Sequence, residues 1–434
     1  MNNKKYITTT LPYINGKPHI GHCYEFVLAD IIAGYYRNKL GAENVFLNVG
    51  IDEHGQKVYD KSLESGFETT QGYCDHLSAI WKIFCGRFDI KYNNFYRTTS
   101  PKHKENVLRF FKQIEKDIHQ DTYTGHYCTG CEAFITSKEI VDGKCPIHHI
   151  ELEETSETNL FFDLNKYSPI ISDVLIDKSL SEELKNIIAE DFKLSITRKN
   201  VKWGIDAGNG DVFYVWADAL TNYIFALGYF EDEKNFTSFW ENSLQICGKD
   251  NLKFQAYIFQ ALLLAGGIPQ TKEILVHGLI LDKDGNKLSK SLNNIIDPNE
   301  QKQKFGLSAL RYYLFFGLNT FSNSKYSEDN LTALWNSDIV NGLGNLISRT
   351  LHLIDIKGVD VTFADLEYQS KIALNIKEVE FDFEKYDFSS VRLKLNAIIS
   401  KLNKRFQDER PFEDKPESSI ILRTYPFKHT FLPF

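Results

Sequence analysis

Segments typical of strands and helices alternate at the start of the chain. Residues 6–11 (YITTTL) are rich in β-forming residue types, and residues 22–41 carry apolar positions at helical spacing before a glycine that ends the pattern. Residues 44–51 (NVFLNVGI) are almost continuously apolar, as in a strand buried on both faces. Strand, helix and strand of these lengths predict a βαβ unit within a parallel sheet. The segment 69–114 then predicts helix.

A different sequence pattern interrupts this alternation of strands and helices. Residues 122–150 contain short segments that carry glycine and cysteine, which indicates a small inserted module. Strand and helix patterns return between residues 211 and 281, and the pattern beyond residue 297 is helical as far as residue 404. We therefore predict an α/β fold, with a Rossmann-like, doubly wound parallel sheet that is interrupted by an insert and followed by an all-α region.

Composition limits the classes of protein to which the chain can belong. It has 434 residues, enough for two to four domains, and a net charge of −8, which argues against a surface coated with positive charge for nucleic acid. Two basic stretches, 193–203 and 400–405, suit either local contact with a polyanion or an ordinary solvated face. No apolar run reaches the length of a membrane span and no secretion signal opens the chain, so we expect a cytoplasmic protein with no membrane partner.

Three of the seven cysteines cluster beside histidines. Cys128 and Cys131 form a CxxC pair, and Cys145 is followed by His148 and His149. Two short pairs brought together by a hairpin would supply four tetrahedral ligands to a closed structural Zn²⁺ site. From spacing alone, either histidine could be the fourth ligand. An odd number of cysteines also suits a reducing compartment better than a disulfide framework.

Two motifs could bind a polyphosphate. His19 and His22 flank Gly21 where a helix must begin after a strand, and the N-terminus of a helix attracts anions. Lys287 and Lys290 lie in a glycine-bearing loop after a later strand, from which they could reach a triphosphate. The alternatives are two incidental loop histidines and a solvated lysine loop.

These two motifs resemble the paired signatures of class I aminoacyl-tRNA synthetases, here "HIGH" (19–22) and "KLSKS" (287–291). Longer segments are similar to the methionyl-tRNA synthetase family, and they follow one another in the family's order along nearly the whole chain. They are LPYINGKPHIGH (11–22), GIDEHGQK (50–57), the cysteine module, SITRKNVKWGI (195–205), FYVWADALTNYI (213–224), CGKD (247–250), GLSALRYYLF (306–315) and DIVNGLGNLISR (338–349).

The resemblance implies formation of an aminoacyl adenylate from ATP and an amino acid, followed by transfer of the acyl group to the terminal ribose of tRNA. It implies that His19 and His22 stabilise the α-phosphate of ATP and that Lys287 and Lys290 hold the departing pyrophosphate, which makes these four the catalytic residues. The same resemblance places Gly21, Glu25 and Asp250 at the ATP site. Mg²⁺ accompanies ATP in this chemistry.

The resemblance also implies an amino-acid pocket. Asp52 would bind the substrate ammonium group and Arg198 would pair with Asp52, although an Asp after a strand is also typical of a helix cap. The side-chain pocket would be formed by residues that, without the resemblance, read as plain core: Leu11, Tyr13, Trp216, Ala219, Leu220 and Tyr223. Gln255 stands where the family usually has the histidine that reaches the methionine sulfur, and Phe259 and Gln260 replace the usual Trp and Pro.

For the insert and the tail, the resemblance makes further assignments. Family spacing favours His148 over His149 as the fourth zinc ligand. Asn345 and Arg349, one helical turn apart, would read anticodon bases together with Phe412, which replaces the usual Trp. The expected partners are methionine and tRNA(Met), and we expect a monomer. The expected domains are the first half of the catalytic domain (1–115), the zinc-bearing connective insert (116–197), the second catalytic half (198–283), the KLSKS loop with a stem-contact region (284–330) and a shortened anticodon-binding-like helical domain (331–434).

Three other functions compete with a methionine–tRNA ligase. A paralogue with a changed amino acid or a non-tRNA acceptor would suit Gln255 and the short tail. A catalytically inactive tRNA-binding protein is opposed by the presence of His19, His22 and Lys290. A small nucleotidyltransferase would share only the HIGH loop, and the cysteine module and helical tail argue against it.

Overall fold

The computed structural model of the protein describes residues 3–14, 16–128, 133–135, 140, 142–145, 150–190, 193–208, 210–288, 294–357 and 376–410. Their elements are, in chain order, β1 (Lys5–Thr9), α1 (Ile20–Leu40), β2 (Val45–Ile51), α2 (Gln56–Glu64), α3 (Thr70–Arg87), β3 (Asn94–Arg97), α4 (Pro101–Gln113), β4 (Ile118–Cys128), β5 (Ala133–Ile135), β6 (Glu153–Phe162), α5 (Ser181–Ala189), β7 (Leu194–Ser195), β8 (Thr197–Arg198), β9 (Asp206–Gly208), β10 (Asp211–Phe213), α6 (Val215–Leu220), α7 (Asn222–Phe225), α8 (Glu233–Trp240), β11 (Ser243–Gly248), α9 (Phe259–Ala265), β12 (Glu273–His277), β13 (Ile280–Leu281), α10 (Pro298–Phe305), α11 (Leu307–Tyr312), β14 (Ser324–Lys325), α12 (Glu328–Trp335), α13 (Asn345–Lys357), α14 (376–384) and α15 (Phe388–Glu409).

The chain divides into two units. The first comprises residues 1–18 and 43–276, and the second comprises residues 19–42 and 277–434. None of the helices in the described part of the chain is long and apolar enough to cross a membrane.

A parallel sheet organises the first unit. Its strand order is β12-β11-β1-β2-β3, and β1 pairs in parallel with both β11 and β2. The chain builds one side of β1 first and the other side later, so the strand order reverses at β1, which is where open α/β sheets bind ligands at their carboxyl ends. Val45, Leu47, Val49 and Ile51 of β2 are all buried, as the apolar run predicted. The predicted parallel sheet is therefore confirmed.

One strand of this sheet was not predicted. The segment 69–114, predicted to be helical, contains α3 and α4 with β3 between them. β3 has four half-buried residues and lies at an edge of the sheet, paired only with β2 in the strand order. A strand this short leaves little periodic signal, and its identity depends on a partner that is distant in sequence.

A second, antiparallel sheet occupies residues 118–195 of the first unit. Its strand order is β5-β4-β6-β7, and β4 and β6 pair from Ile118 with Phe162 to Tyr127 with Glu153. A small three-stranded sheet, β8-β10-β9, follows it. The core of the first unit buries aromatic and aliphatic side chains from the strands and helices of both regions, among them Tyr6, Phe110, Phe162, Trp240 and Leu262.

Helices dominate the second unit, as predicted for the C-terminal region. α1 begins after the N-cap His19 and ends before Gly41, whose φ of 93° is in the range that glycine adopts without strain. Arg311 of α11 donates to Asp30 of α1 (Nη2 to Oδ2, 2.6 Å), and the Tyr35 hydroxyl donates to Glu384 of α14 (2.9 Å). These contacts join the early helix α1 to helices more than 250 residues later within the same unit.

Candidate active site

The two signature histidines form the N-terminus of α1. His19 is the N-cap, and its Nδ1 accepts a hydrogen bond from the Gly21 N–H (3.1 Å), while the His19 N–H donates to Nδ1 of His22 (3.2 Å). The two rings stack with centroids 3.7 Å apart. Because a backbone N–H can only donate, both Nδ1 atoms must be acceptors, so each neutral ring carries its proton on Nε2. The capping geometry thus turns both rings into Nε2–H donors.

Gly21 makes this arrangement possible. A Cβ atom added at this position would lie 3.0 Å from Cε1 and 3.1 Å from Nδ1 of the His19 ring. That distance is tighter than ordinary van der Waals contact, so a larger residue would displace the ring that caps the helix. The close approach of the His19 ring therefore favours glycine at this position, where no positive φ is involved.

Glu25 lies on α1 within the second unit and is held by a histidine that sequence analysis missed. Its Oε2 is 3.0 Å from Nε2 of His277, and Nδ1 of His277 is 2.9 Å from the Gly278 carbonyl oxygen. The Tyr24 ring packs edge-on against His277, with centroids 4.9 Å apart. His277 ends β12, so its only signal in the sequence was its place at the carboxyl end of a predicted strand.

The base of the lysine loop is organised by Asp282. Its carboxylate accepts hydrogen bonds from the amide of Asn294 (2.7 Å) and from the backbone N–H groups of Asp284 (3.0 Å) and Asn286 (2.8 Å). These bonds, that from Asn294 first, lower the pKa of Asp282 to about 2. Lys287 is exposed near this base, and Lys290 lies outside the described residues.

A pocket in the first unit collects most of the predicted amino-acid-binding residues. It is lined by Thr10, Leu11, Asp52, Trp216, Ala219, Leu220, Tyr223 and Gln255. The pocket opens where β1 and β2 end, and the helices α6 and α7 with the π-helical turn Phe254–Ile258 supply the remaining wall. Thr10 was not predicted, although its position directly after β1 was the available signal. The pocket therefore joins one buried carboxylate to an apolar and aromatic wall.

Asp52 continues the register of β2 and does not cap a helix. It forms an isolated parallel bridge with Tyr13, and its N–H donates to the Pro12 carbonyl (2.9 Å). The following helix, α2, begins after Gly55 without a side-chain cap. Asp52 is only 4% exposed, so it is a buried residue at the end of the sheet and not part of a solvent-exposed turn. Tyr13 is thus a backbone neighbour of Asp52 and does not line the pocket.

Arg198 does not pair with Asp52 among the residues that the structure describes. Its Nη1 donates to the carbonyl oxygens of Thr197 (2.9 Å) and Ser195 (3.3 Å), and its guanidinium lies 3.9 Å from the centroid of the Tyr214 ring. Arg198 lines a neighbouring cavity with Gly55 and Tyr127. Two backbone carbonyls and an aromatic face therefore contact the cation, whereas its buried Nε has no hydrogen-bond partner in the described part of the chain.

Comparison with known proteins identifies the family. A family model described as "tRNA synthetases class I (M)" matches residues 5–159 and 151–351. A methionine–tRNA ligase of Fusobacterium nucleatum is 34% identical over 434 residues, which cover 95% of this chain and 68% of that protein. One of Ureaplasma parvum is 33% identical over 440 residues, which cover 94% of this chain and 84% of that protein. This chain belongs to the methionine–tRNA ligase family.

A solved structure agrees with this family assignment. The Mycobacterium tuberculosis methionyl-tRNA synthetase in complex with methionyl-adenylate superimposes with a TM-score of 0.86 at 28% identity, over 97% of this chain and 87% of that one. As a member of the methionine–tRNA ligase family, the chain is an ATP-dependent aminoacyl-tRNA synthetase. The family resemblance inferred from the motifs is confirmed.

A buried cluster of titratable side chains connects two pocket-forming segments of this synthetase. Nδ1 of His54 is 3.0 Å from Oδ2 of Asp218, and Nε2 of His103 is 3.7 Å from Oδ1 of the same carboxylate. The Tyr96 hydroxyl is 2.9 Å from Nδ1 of His103. Asp218 lies on α6 between the pocket residues Trp216 and Ala219, and His54 follows Asp52 by two positions. The cluster therefore ties two pocket-forming segments together, and sequence analysis did not single out any of its members.

The zinc module of this family member is described only in part. Cys131 and His148 lie outside the described residues, as does His149. Cys128 ends β4 and Cys145 follows the bridge between Lys144 and Glu151, and both thiols lie in one small buried cluster against which Ile140 and Leu152 pack. Within the described part of the chain, no three or more histidine, cysteine or carboxylate side chains form a group that could hold a metal ion. Two adjacent buried thiols remain compatible with half of a Cys₃His site.

The remaining predicted residues lie in separate places. Asp250 is exposed just after β11 in the first unit, and its Oδ1 accepts from the Asn251 amide (3.2 Å). Asn345 and Arg349 lie one turn apart on α13 in the second unit, where the Arg349 guanidinium lies 4.5 Å from the centroid of the Phe406 ring. Phe412 lies outside the described residues.

Proposed function

We propose that this chain activates methionine with ATP and transfers the methionyl group to tRNA(Met), using the residues assigned below. The observation that carries the proposal is the pocket of the first unit, in which a buried carboxylate lies beside apolar and aromatic side chains and three uncharged polar groups. That combination suits an α-amino acid with an uncharged, largely apolar side chain. Membership of the methionine–tRNA ligase family makes methionine the expected substrate.

In this proposal, Asp52 binds the substrate ammonium group. Asp52 is 4% exposed, so water screens its carboxylate only weakly and the attraction of a cationic ammonium group is strong. Trp216 stacks on Phe254 with centroids 3.9 Å apart, which fixes one wall of the pocket against the substrate side chain. Leu11, Ala219 and Leu220 complete the apolar surface. The uncharged polar groups of the pocket come from Thr10, Tyr223 and Gln255. Arg198 is proposed to orient Asp52 when the substrate is bound, since its buried Nε has no hydrogen-bond partner among the described residues and can still donate.

His19 and His22 act on the phosphates. Methionine's carboxylate attacks the α-phosphorus of ATP, an acyl-phosphate bond forms, and pyrophosphate leaves with the electron pair of the broken P–O bond. Negative charge on the α-phosphate oxygens rises during this step, and preorganised Nε2–H donors at a helix N-terminus stabilise it without reorganisation. Lys287 and Lys290 neutralise the departing pyrophosphate, and Glu25, held by His277, binds the nucleotide together with Gly21 and Asp250.

In the second step, a hydroxyl of the terminal tRNA ribose attacks the carbonyl carbon of the adenylate and AMP leaves. Asn345, Arg349 and Phe412 are proposed to contact anticodon bases. Mg²⁺ bound with ATP would supply charge neutralisation of the triphosphate. Zn²⁺ would be held by Cys128, Cys131, Cys145 and His148, in a structural role that fits two adjacent buried thiols. A cytoplasmic monomer is part of the same proposal.

The decisive experiment is amino-acid-dependent exchange of pyrophosphate into ATP, measured with each of the twenty amino acids. We expect methionine to give the strongest exchange, and we expect Asp52→Asn to lower kcat/KM for methionine by about 10²-fold or more. Asp163→Asn, which changes an exposed aspartate in the same unit, is the matched control and should leave exchange unaltered. If none of the twenty amino acids supports pyrophosphate exchange, the proposal is overturned.

One competing function rests on a specific residue. Gln255 places a primary amide in the pocket, and a longer amide could select another amino acid or serve a paralogue with another acceptor. Charging of total tRNA separates these possibilities. Methionine-dependent exchange followed by methionyl-tRNA formation supports the proposed function, whereas exchange without tRNA charging, or strongest exchange with another amino acid, supports the paralogue.

A further inference from the structure

Gln255 belongs to a buried network of amide side chains that reaches away from the pocket. Its Nε2 donates to the Tyr223 hydroxyl (2.7 Å), and its Oε1 accepts from Nε2 of Gln245 (3.2 Å). A primary amide has two N–H donors, and among the described residues only one of those of Gln255 has a partner. Gln245 on β11 and Gln260 on α9 are at most 1% exposed. The network is therefore part of the core of the first unit.

Backbone groups fix the direction of the Gln260 amide, from which the directions of the other two amides follow. Oε1 of Gln260 accepts from the backbone N–H of Thr271 (3.0 Å), and its Nε2 donates to the backbone carbonyl of Gln255 (2.8 Å). A backbone N–H can only donate and a backbone carbonyl can only accept, so the oxygen and nitrogen of the Gln260 amide cannot be exchanged. The orientation of Gln260 thus follows from chemistry alone, although oxygen and nitrogen look alike in most structures.

Through its hydroxyl, Thr271 fixes the orientation of the Gln245 amide in turn. The Thr271 hydroxyl accepts from Nε2 of Gln260 (3.1 Å), so its hydrogen is available to donate to Oε1 of Gln245 (2.8 Å). Gln260 Nε2 also lies 3.4 Å from the same oxygen. With its oxygen committed on this side, Gln245 must present its NH₂ group to Gln255. Gln255 must then accept with its oxygen, which turns its own NH₂ group towards Tyr223 and the pocket.

We propose that Gln245, Gln260 and Thr271 determine the amino-acid specificity of the pocket by locking the Gln255 amide with its NH₂ group towards the substrate side chain. The pocket then favours a side chain with a hydrogen-bond acceptor, such as the thioether of methionine, over an all-carbon chain of the same length. A thioether accepts only a weak hydrogen bond, but an N–H left unpaired against a methylene group is costly, and both effects favour methionine. This inference rests on the proposed function, since it concerns the same pocket.

The test compares the binding of methionine and norleucine, which replaces the sulfur by a methylene group, to the full chain by titration calorimetry without ATP. We expect the wild type to bind methionine roughly three- to tenfold more tightly than norleucine. Gln245→Met keeps the volume of the side chain but removes its donor, which frees the Gln255 amide to turn. The ratio of the two affinities should then fall at least threefold. Thr271→Val, which removes only the hydroxyl link, should lower the ratio in the same direction by a smaller amount.

A purely structural role for the network gives a different result. Loss of packing would weaken the binding of both ligands equally and leave their ratio unchanged, and that outcome for both variants would overturn the inference. Equal binding of methionine and norleucine by the wild type would overturn it as well. Thr350→Val in α13 is the control for Thr271→Val, because Thr350 is also fully buried and its hydroxyl donates to the Leu346 carbonyl (2.8 Å). It should leave the ratio at the wild-type value even if it lowers the melting temperature.

Binding and exchange separate this inference from the proposed function. A wild type that prefers methionine in calorimetry but supports no methionine-dependent exchange would contradict the proposed function and leave the amide network supported. A wild type that catalyses methionine-dependent exchange, with a ratio unaffected in both variants, would contradict only the role of the network. If Gln245→Met does not fold, Thr271→Val still decides the question, because it alters one buried hydroxyl while the backbone bond of Thr271 to Gln260 stays intact.

Discussion

The Asp218 carboxylate lies 3.0 Å from Nδ1 of His54, and the two side chains are at most 1% exposed. Because an ionised carboxylate can only accept a hydrogen bond, His54 must carry a proton on Nδ1, and this N–H donates a hydrogen bond to Asp218. Asp218 belongs to α6, which forms one wall of the amino-acid pocket, and His54 belongs to the segment that carries Asp52. This buried contact therefore connects the helix that shapes the pocket to the segment that supplies its charge.

We expect Asp218→Asn to destabilise the protein by about 1–3 kcal/mol, because the amide weakens a charge-assisted hydrogen bond inside the core. Urea unfolding measures the change. Asp75→Asn is the matched control, since Asp75 pairs with Arg97 (2.7 Å) but its side chain is 56% exposed, and screening should keep its effect below about 1 kcal/mol. Equal losses of stability in the two variants would contradict the role given to the buried contact.

Because His103 is buried in the same cluster, we expect the free energy of unfolding of the protein to fall on mild acidification. Burial lowers the pKa of His103 below its ordinary value, although Asp218 opposes the shift. The unfolded chain then binds a proton at a higher pH than the folded one, so this contribution to stability is complete above about pH 6.5 and is lost as the pH falls towards the lower pKa of the folded state. Burial also acts to raise the pKa of Asp218, but His54 and His103 outweigh burial and hold the pKa of Asp218 below its ordinary value. The contribution of Asp218 to the pH dependence of stability therefore falls at a more acidic pH than that of His103.

The measurement is the free energy of unfolding between pH 5 and pH 7.5 for the wild type and His103→Asn. We expect the variant to be less stable at pH 7 and to lose less stability between pH 6.5 and pH 5, because the titrating group has been removed. His76→Asn, on α3 and with an exposed side chain, serves as the control and should keep the wild-type slope. A slope that is unchanged in His103→Asn would show that other groups titrate in this window.

Local patterns were sufficient for much of the fold. The helical spacing of residues 22–41 and the stop at Gly41 predicted α1, and the continuous apolar run predicted β2, because both signals depend on neighbours in sequence. The short edge strand β3 was missed, since four half-buried residues gain their strand character from pairing with β2. Periodicity in the sequence therefore predicted the elements with a continuous buried face, and it missed the strand that depends on pairing with a partner distant in sequence.

The candidate site followed a similar division. Leu11, Trp216 and Gln255 were placed in the pocket through the resemblance to synthetases, and periodicity alone would have assigned such residues to the core. The cluster of His54, His103 and Asp218 was not predicted, because its members are far apart in sequence, with 164 positions between His54 and Asp218, and no motif links them. Likewise, Arg198 was expected to find a carboxylate, whereas the fold offers it backbone carbonyls and the Tyr214 ring. Polar contacts between distant segments depend on the final packing.

Gly21→Ala tests the geometry of the helix N-terminus. A Cβ at this position would lie 3.0 Å from the His19 ring, so we expect the ring to move and its capping bond to weaken, with a loss of about 1 kcal/mol in stability. Pyrophosphate exchange should fall by roughly tenfold or more, because misplaced donors stabilise the reacting phosphate less well. Methionine affinity in the absence of ATP should not change.

Gly34→Ala is the control for this variant, since Gly34 lies on the same helix and a Cβ there meets nothing within 4 Å. It should be at least as stable as the wild type and fully active, because alanine is the better helix former. If Gly21→Ala retains full exchange activity, the position of the His19 ring is not important for the reaction.

The cysteine module predicts one tightly bound Zn²⁺ per chain. Cys128 and Cys145 share a small buried cluster, and a metal that joins them to two further ligands would contribute on the order of 10 kcal/mol of binding energy to a segment with little core of its own. Elemental analysis of protein purified from zinc-supplemented medium should give one zinc per chain, and Cys128→Ala should reduce it to near zero. Cys85→Ala removes a buried thiol on α3 and should leave the zinc content unaltered. Wild-type protein that contains no zinc after this purification, or that melts at the same temperature with and without a chelator, would contradict the assignment, because a structural metal must stabilise the folded state to which it binds.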